Sequence, residues 1–87
     1  MKFKLLITKE FDSQFKILDK SVQKIVFKWI HNHLMDTENP IAYGKPLKAN
    51  LKGYWRYRIG NYRMITEIKD EELVIVAISI AHRNDVY

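Results

Sequence analysis

The chain has 87 residues, is 47% hydrophobic and contains no cysteine, which fits a single domain of the usual size and excludes a disulfide scaffold or a thiolate metal site. Its net charge of +5 points to an acidic partner. Residues 1–7 begin like a leader, but the apolar run stops at Thr8-Lys9-Glu10, too short for a secretion signal or a membrane span, so a cytoplasmic protein with no membrane association is expected.

Taken in order, Lys2 to Ile7 alternates with Phe3, Leu5 and Ile7 on one side, and is predicted as a first strand. Thr8 is a predicted N-cap for a short helix to about Leu18, in which Phe11, Phe15 and Leu18 recur at helical spacing. A longer helix follows, capped by Asp19 or Ser21, with Val22, Ile25, Val26, Trp29, Ile30 and Leu34 as one apolar stripe. The short link between the two predicts a helical hairpin. Pro40 to Gly53 is a basic connection with no clear period, held by Leu47 and Leu51.

The stretch Tyr54 to Ile68 reads as a β-hairpin, because two aromatic and β-branched runs flank Gly60-Asn61. With those two residues as the turn, Ile59 faces Tyr62, Arg58 faces Arg63, Tyr57 faces Met64 and Arg56 faces Ile65. Trp55, Tyr57, Ile59, Tyr62, Met64, Thr66 and Ile68 then share an apolar face, and Arg56, Arg58 and Arg63 share the other. Lys69 to Glu72 is a polar turn before Leu73 to Ile80, a run apolar on both parities as an interior strand requires. The elements sum to an α+β fold, β-α-α-β-β-β: an antiparallel four-stranded sheet covered on one face by a helical hairpin, with the first strand antiparallel to the last.

Between Asn39 and Thr66 there is no acidic residue, while Lys45, Lys48, Lys52, Arg56, Arg58 and Arg63 contribute six positive charges; the remainder holds nine basic and ten acidic residues. The charge excess is therefore concentrated in the hairpin and its approach. An Arg58–Arg63 cross-strand pair works against folding, and a polyanion against that face explains it. The alternative is a solvated outer face whose arginines splay apart or meet acids from elsewhere.

The run Lys45-Pro-Leu-Lys-Ala-Asn-Leu-Lys-Gly-Tyr-Trp-Arg-Tyr-Arg-Ile-Gly-Asn-Tyr-Arg63, then Leu73-Val-Ile-Val-Ala-Ile, then His82-Arg-Asn-Asp-Val-Tyr87 resembles the RelE/ParE superfamily of bacterial type II toxins. The His-Arg-x-x-Val-Tyr ending is similar to that of the RelE branch, ribosome-dependent endoribonucleases that cut mRNA in the A site. By position, the resemblance implies a catalytic set of Arg56, Arg58, Arg63, Arg83 and Tyr87; the charge excess adds Lys45, Lys48 and Lys52, and the open face Tyr54, as contacts to RNA or the ribosome, and no metal or other cofactor is expected. Better-known members carry lysines at the positions of Arg56 and Arg58. Arginine does not give up its proton, so a lysine general base does not transfer to this chain.

The resemblance also implies a cognate antitoxin with an acidic, partly disordered segment, ribosome and mRNA as targets, and operator DNA only through the antitoxin complex. His82 is the one side chain near the set with an ordinary pKa close to neutrality, and is either a general acid or base or a packed imidazole facing away from Arg83. His31 and His33 do not face each other on a helix and are assigned no metal. Trp29 and Trp55 are expected in the core. Two other functions stay open: a ParE-like gyrase poison without nuclease activity, and a degenerate toxin that only binds its antitoxin and operator DNA.

Overall fold

The computed structural model describes residues 2–47 and 53–82. In chain order they form β1 (Lys4–Ile7), α1 (Lys9–Lys16), α2 (Lys20–His33), a 3-10 turn (Pro40–Tyr43), β2 (Lys45–Pro46), β3 (Tyr54–Ile59), β4 (Tyr62–Lys69), a second 3-10 turn (Asp70–Glu72) and β5 (Val74–His82). The strands build one sheet in the order β1-β5-β4-β3-β2.

Thr8 starts α1 as its capping pattern predicts: its hydroxyl accepts from the Phe11 N–H at 3.1 Å. The same hydroxyl shares its hydrogen between the Ala77 and Ile78 carbonyls at 2.9 and 3.2 Å, which ties the helix start to the central strand. Asp19 stands at the α2 N-cap without a side-chain bond. Gln23 in the first turns of α2 instead donates to the carbonyls of Phe15, Lys16 and Leu18, closing the end of α1. The helical hairpin lies on one face of the sheet, where Val26, Ile30, Leu34 and Phe11 pack against Tyr57, Ile59, Met64, Ile75, Ala77 and Ile80.

The β3–β4 hairpin has the register its turn predicts, with Ile59 opposite Tyr62, Arg58 opposite Arg63, Tyr57 opposite Met64 and Arg56 opposite Ile65. Gly60 has φ +59° while Asn61 stays out of the positive region, the sign pattern of a type II′ turn with glycine first. Its inward residues are those expected: Tyr57, Met64 and Thr66 are fully buried, Ile59 and Ile68 nearly so, and Trp55 and Tyr62 pack at the margin.

Three expectations are corrected. The sheet has five strands, because Lys45–Pro46 pairs with Arg56 and Trp55 at the β3 edge; a two-residue strand ending in a proline, which cannot donate to a ladder, carries no periodic signal. That strand adds one reversal of direction, so β1 pairs with β5 in parallel, Lys4 to Ile7 against Val74 to Ala77, and the sheet is mixed. Ile25 of the expected α2 stripe is 59% exposed, since the buried line runs through Val26, Ile30 and Leu34, and Ile25 falls at its edge. Leu51 lies outside the described residues, while Leu47 donates its N–H to the Tyr54 carbonyl at 3.0 Å.

Candidate functional site

The outer face of the hairpin inherits its chemistry from parity alone. Arg56 and Arg58 alternate with the buried Tyr57 and Ile59, and Arg63 lies directly across from Arg58. The short β2 adds a second like-charged pair, Lys45 across from Arg56. Four cations therefore stand on one sheet face that no helix covers, in two repelling pairs. Among the described residues the one ion pair is Lys16–Asp12, on the exposed side of α1, so none of the four is neutralised by a described carboxylate.

These side chains border a concavity of about 530 Å³ lined by Ala42, Tyr43, Gly44, Lys45, Arg56, Tyr57, Arg58 and Arg63. The wall opposite β3 is the Pro40–Tyr43 turn, and Tyr57 fixes it. The buried phenol donates to the Pro40 carbonyl at 2.8 Å, which spans 17 positions of the chain. Desolvation pushes the Tyr57 hydroxyl up to about 12, against a smaller opposing effect of the Thr66 hydroxyl. It is thus a structural donor and no proton acceptor near neutrality.

Gly44 lets the turn meet the strand. A Cβ there would stand 2.6 Å from the Arg56 carbonyl oxygen and 2.8 Å from the Tyr57 ring, so only a residue without a side chain permits this approach. An aromatic chain backs the same wall: Trp29 lies 5.5 Å from Tyr57 and stacks on His33 at 4.5 Å, and His33 meets Tyr43 edge-on at 4.9 Å. The His33 Nδ1 bonds the Trp29 carbonyl at 2.8 Å, which fixes the ring. Sequence reading missed Tyr43, Ala42 and Gly44 because the connection holding them is aperiodic. The glycine between an aromatic residue and a lysine was the available signal.

Tyr54 shares the outer face with the arginines, opposite Glu67, but does not line the concavity. His82 lies opposite Tyr62 with the rings edge-on at 5.3 Å. A bulge between Ile65 and Thr66 of β4 and their β5 partners shifts the phase of β5, so Ile80 and His82 face the helices with Ile75 and Ala77. His82 is therefore on the side away from Arg56, Arg58 and Arg63. Lys48, Lys52, Arg83 and Tyr87 lie outside the described residues. Among the described residues no group of three or more His, Cys, Asp or Glu is placed to hold a metal ion, and no helix is long and apolar enough to cross a membrane.

A sequence profile for the ParE toxin of the type II toxin–antitoxin system parDE matches residues 5–87. The chain belongs to the ParE toxin family. Toxin RelG of Mycobacterium tuberculosis is 37% identical over 51 residues, covering 59% of each chain. Toxin YoeB of Synechocystis is 37% identical over 60 residues, covering 68% of this chain and 70% of that one. Among solved structures, the toxin–antitoxin complex RelBE2 of Mycobacterium tuberculosis has a TM-score of 0.83 at 25% identity, over 95% of this chain and 93% of the other. The isolated Escherichia coli RelE toxin has a TM-score of 0.74 at 17% identity, over 92% of this chain and 83% of its own, and is a likeness of fold. Within the RelE/ParE superfamily, the likeness of this ParE-family chain to RelG and to the RelBE2 complex supports the RelE branch.

Proposed function

We propose that this chain is the toxin of a type II toxin–antitoxin pair and an endoribonuclease that cuts mRNA in the ribosomal A site, and hence works in the cytoplasm. The observation that carries the reading is the open cleft bordered by Lys45, Arg56, Arg58 and Arg63, with no carboxylate among its described lining. In the reaction the ribose O2′ attacks the adjacent phosphorus, the bond from phosphorus to O5′ breaks, and a 2′,3′-cyclic phosphate and a 5′-hydroxyl are left. Such a displacement requires in-line positioning and stabilisation of charge on the phosphate oxygens, both of which converging guanidiniums supply.

Arg58 and Arg63 act as paired donors to the scissile phosphate, joined by Arg83 from the chain end; Arg56 and Lys45 hold the neighbouring backbone. The described lining holds neither a carboxylate nor an imidazole; the proton that O2′ loses is matched by the one that O5′ gains, so the step is neutral in protons overall. Tyr87 orients the 2′-hydroxyl or stacks on a base, while Lys48, Lys52 and Tyr54 extend the RNA and ribosome contact. An antitoxin with an acidic segment folds over the same cationic face and contacts operator DNA on behalf of the pair, a reading supported by the fold likeness to toxin–antitoxin complexes.

The match to the ParE toxin profile keeps the second reading in play, the ParE-like gyrase poison without nuclease activity that the sequence resemblance leaves open. Primer extension on translated mRNA separates the two. Cuts that disappear in Arg83→Ala and Arg63→Ala support the nuclease; intact mRNA with gyrase-dependent DNA breaks supports the second. Harmless overexpression of the intact chain would indicate a toxin reduced to antitoxin binding.

A further inference from the structure

The cleft contains one feature that phosphate binding alone does not use. Tyr43 is 49% exposed, lines the concavity beside Lys45, Arg56, Arg58 and Arg63, and is held from behind. His33 meets its ring edge-on at 4.9 Å and is itself fixed by the 2.8 Å bond to the Trp29 carbonyl. The turn that carries Tyr43 is anchored at its first residue by the bond from Tyr57 to the Pro40 carbonyl. An exposed aromatic ring with so little freedom loses little entropy when a flat partner stacks on it.

We propose that Tyr43 is a base-stacking residue of this site, so that the cleft takes a single-stranded nucleotide as a unit: phosphate against the guanidiniums and nucleobase against the Tyr43 ring. The inference rests on the RNA-cleaving reading and adds to it a residue that determines which RNA conformation fits. Small neighbours make room for the base, since Ala42 and Gly44 flank the ring on the same wall. A base can reach that ring only when it is unstacked from its strand, so the site selects single-stranded over duplex RNA. His33 is a positioning residue that sets the orientation of the Tyr43 ring.

The test is a fluorescence-anisotropy titration of the full-length protein with a short, 2′-O-methylated oligoribonucleotide that cannot be cut, and with the same oligonucleotide lacking one base. Tyr43→Leu is expected to weaken binding of the intact oligonucleotide about tenfold or more, the usual range for losing one stacked base, and to leave the abasic one unchanged. Tyr43→Phe restores the affinity of the intact oligonucleotide. Arg63→Ala weakens both alike and reduces the dependence on salt. Equal effects of Tyr43→Leu on intact and abasic oligonucleotides, or no effect on either, overturn the stacking role while wild-type cleavage on ribosomes keeps the nuclease reading. Absence of salt-dependent binding by the wild-type protein, together with intact mRNA in primer extension, overturns both. Melting temperatures of the variants show that each has folded.

Discussion

Replacing Arg58 with threonine should make the protein more stable and less able to hold RNA. Arg58 is exposed and stands directly across from the half-buried Arg63, next to a second repelling pair formed by Lys45 and Arg56. Like charges opposed on a strand pair cost a few tenths to about 1 kcal/mol. Two unit charges about 6 Å apart in a water-like dielectric give about 0.7 kcal/mol, in the same range. Threonine suits a strand, and little packing is lost at an exposed position. For a domain of this size 1 kcal/mol corresponds to roughly 4–8 °C, so Arg58→Thr should melt about 2–6 °C above wild type in low salt.

Salt supplies the internal control. The screening length falls from about 30 Å at 0.01 M to about 3 Å at 1 M, so the advantage of the variant should shrink towards zero as salt is added. Thermal unfolding followed by circular dichroism at the two salt concentrations measures this directly. A variant that melts below wild type in low salt, or keeps its full advantage in high salt, refutes the claim that these guanidiniums repel one another across the hairpin. The predicted combination, higher stability with weaker RNA binding, is the trade expected where function selects a strained arrangement.

Other parts of the structure make separate predictions. The Tyr57 hydroxyl has a folded pKa of about 12 against an ordinary 10.0; the stabilisation tied to its proton is complete below pH 10 and lost as pH rises through 12, a total of about 2–3 kcal/mol. Tyr57→Phe should flatten that part of the stability–pH curve in denaturant titrations, and an equally steep decline in the variant would assign it to other groups. Gly44→Ala forces a Cβ to within 2.6 Å of the Arg56 carbonyl oxygen and should cost about 1–3 kcal/mol, together with RNA binding, because the cleft wall must move; unchanged melting would refute the close approach. Thr8→Val removes both the α1 cap and the hydroxyl bonds to Ala77 and Ile78 and should lower stability by about 1–3 kcal/mol, with earliest amide exchange at the start of α1.

The hairpin was legible in the sequence because three local signals agree there: period-2 patterning, the Gly60-Asn61 turn, and aromatic and β-branched strand residues. The register that opposes Arg58 to Arg63 follows from the turn alone. The sheet's connectivity was not legible, since Lys45–Pro46 forms a strand only because β3 offers an edge to pair with, which no local pattern reveals. Missing that one reversal turned a parallel β1–β5 pair into an expected antiparallel one. The β5 run, apolar on both parities, concealed its bulge, because a slip of phase leaves such a pattern unchanged. The bulge sends His82 to the helix side, opposite Tyr62. Of the site, the arginines were readable by parity, whereas Tyr43 and Gly44 acquire their roles only through the Tyr57 bond that folds their turn against the strand.

The most direct measurement is a titration of the isotopically labelled protein with a non-cleavable oligoribonucleotide, following the arginine Nε–H resonances by NMR. Resonances of Arg56, Arg58 and Arg63 should move together with one dissociation constant, and added salt should reverse the shifts. Independent movements, no movement, or shifts confined to the helical hairpin would contradict a shared phosphate site on the open face of the sheet.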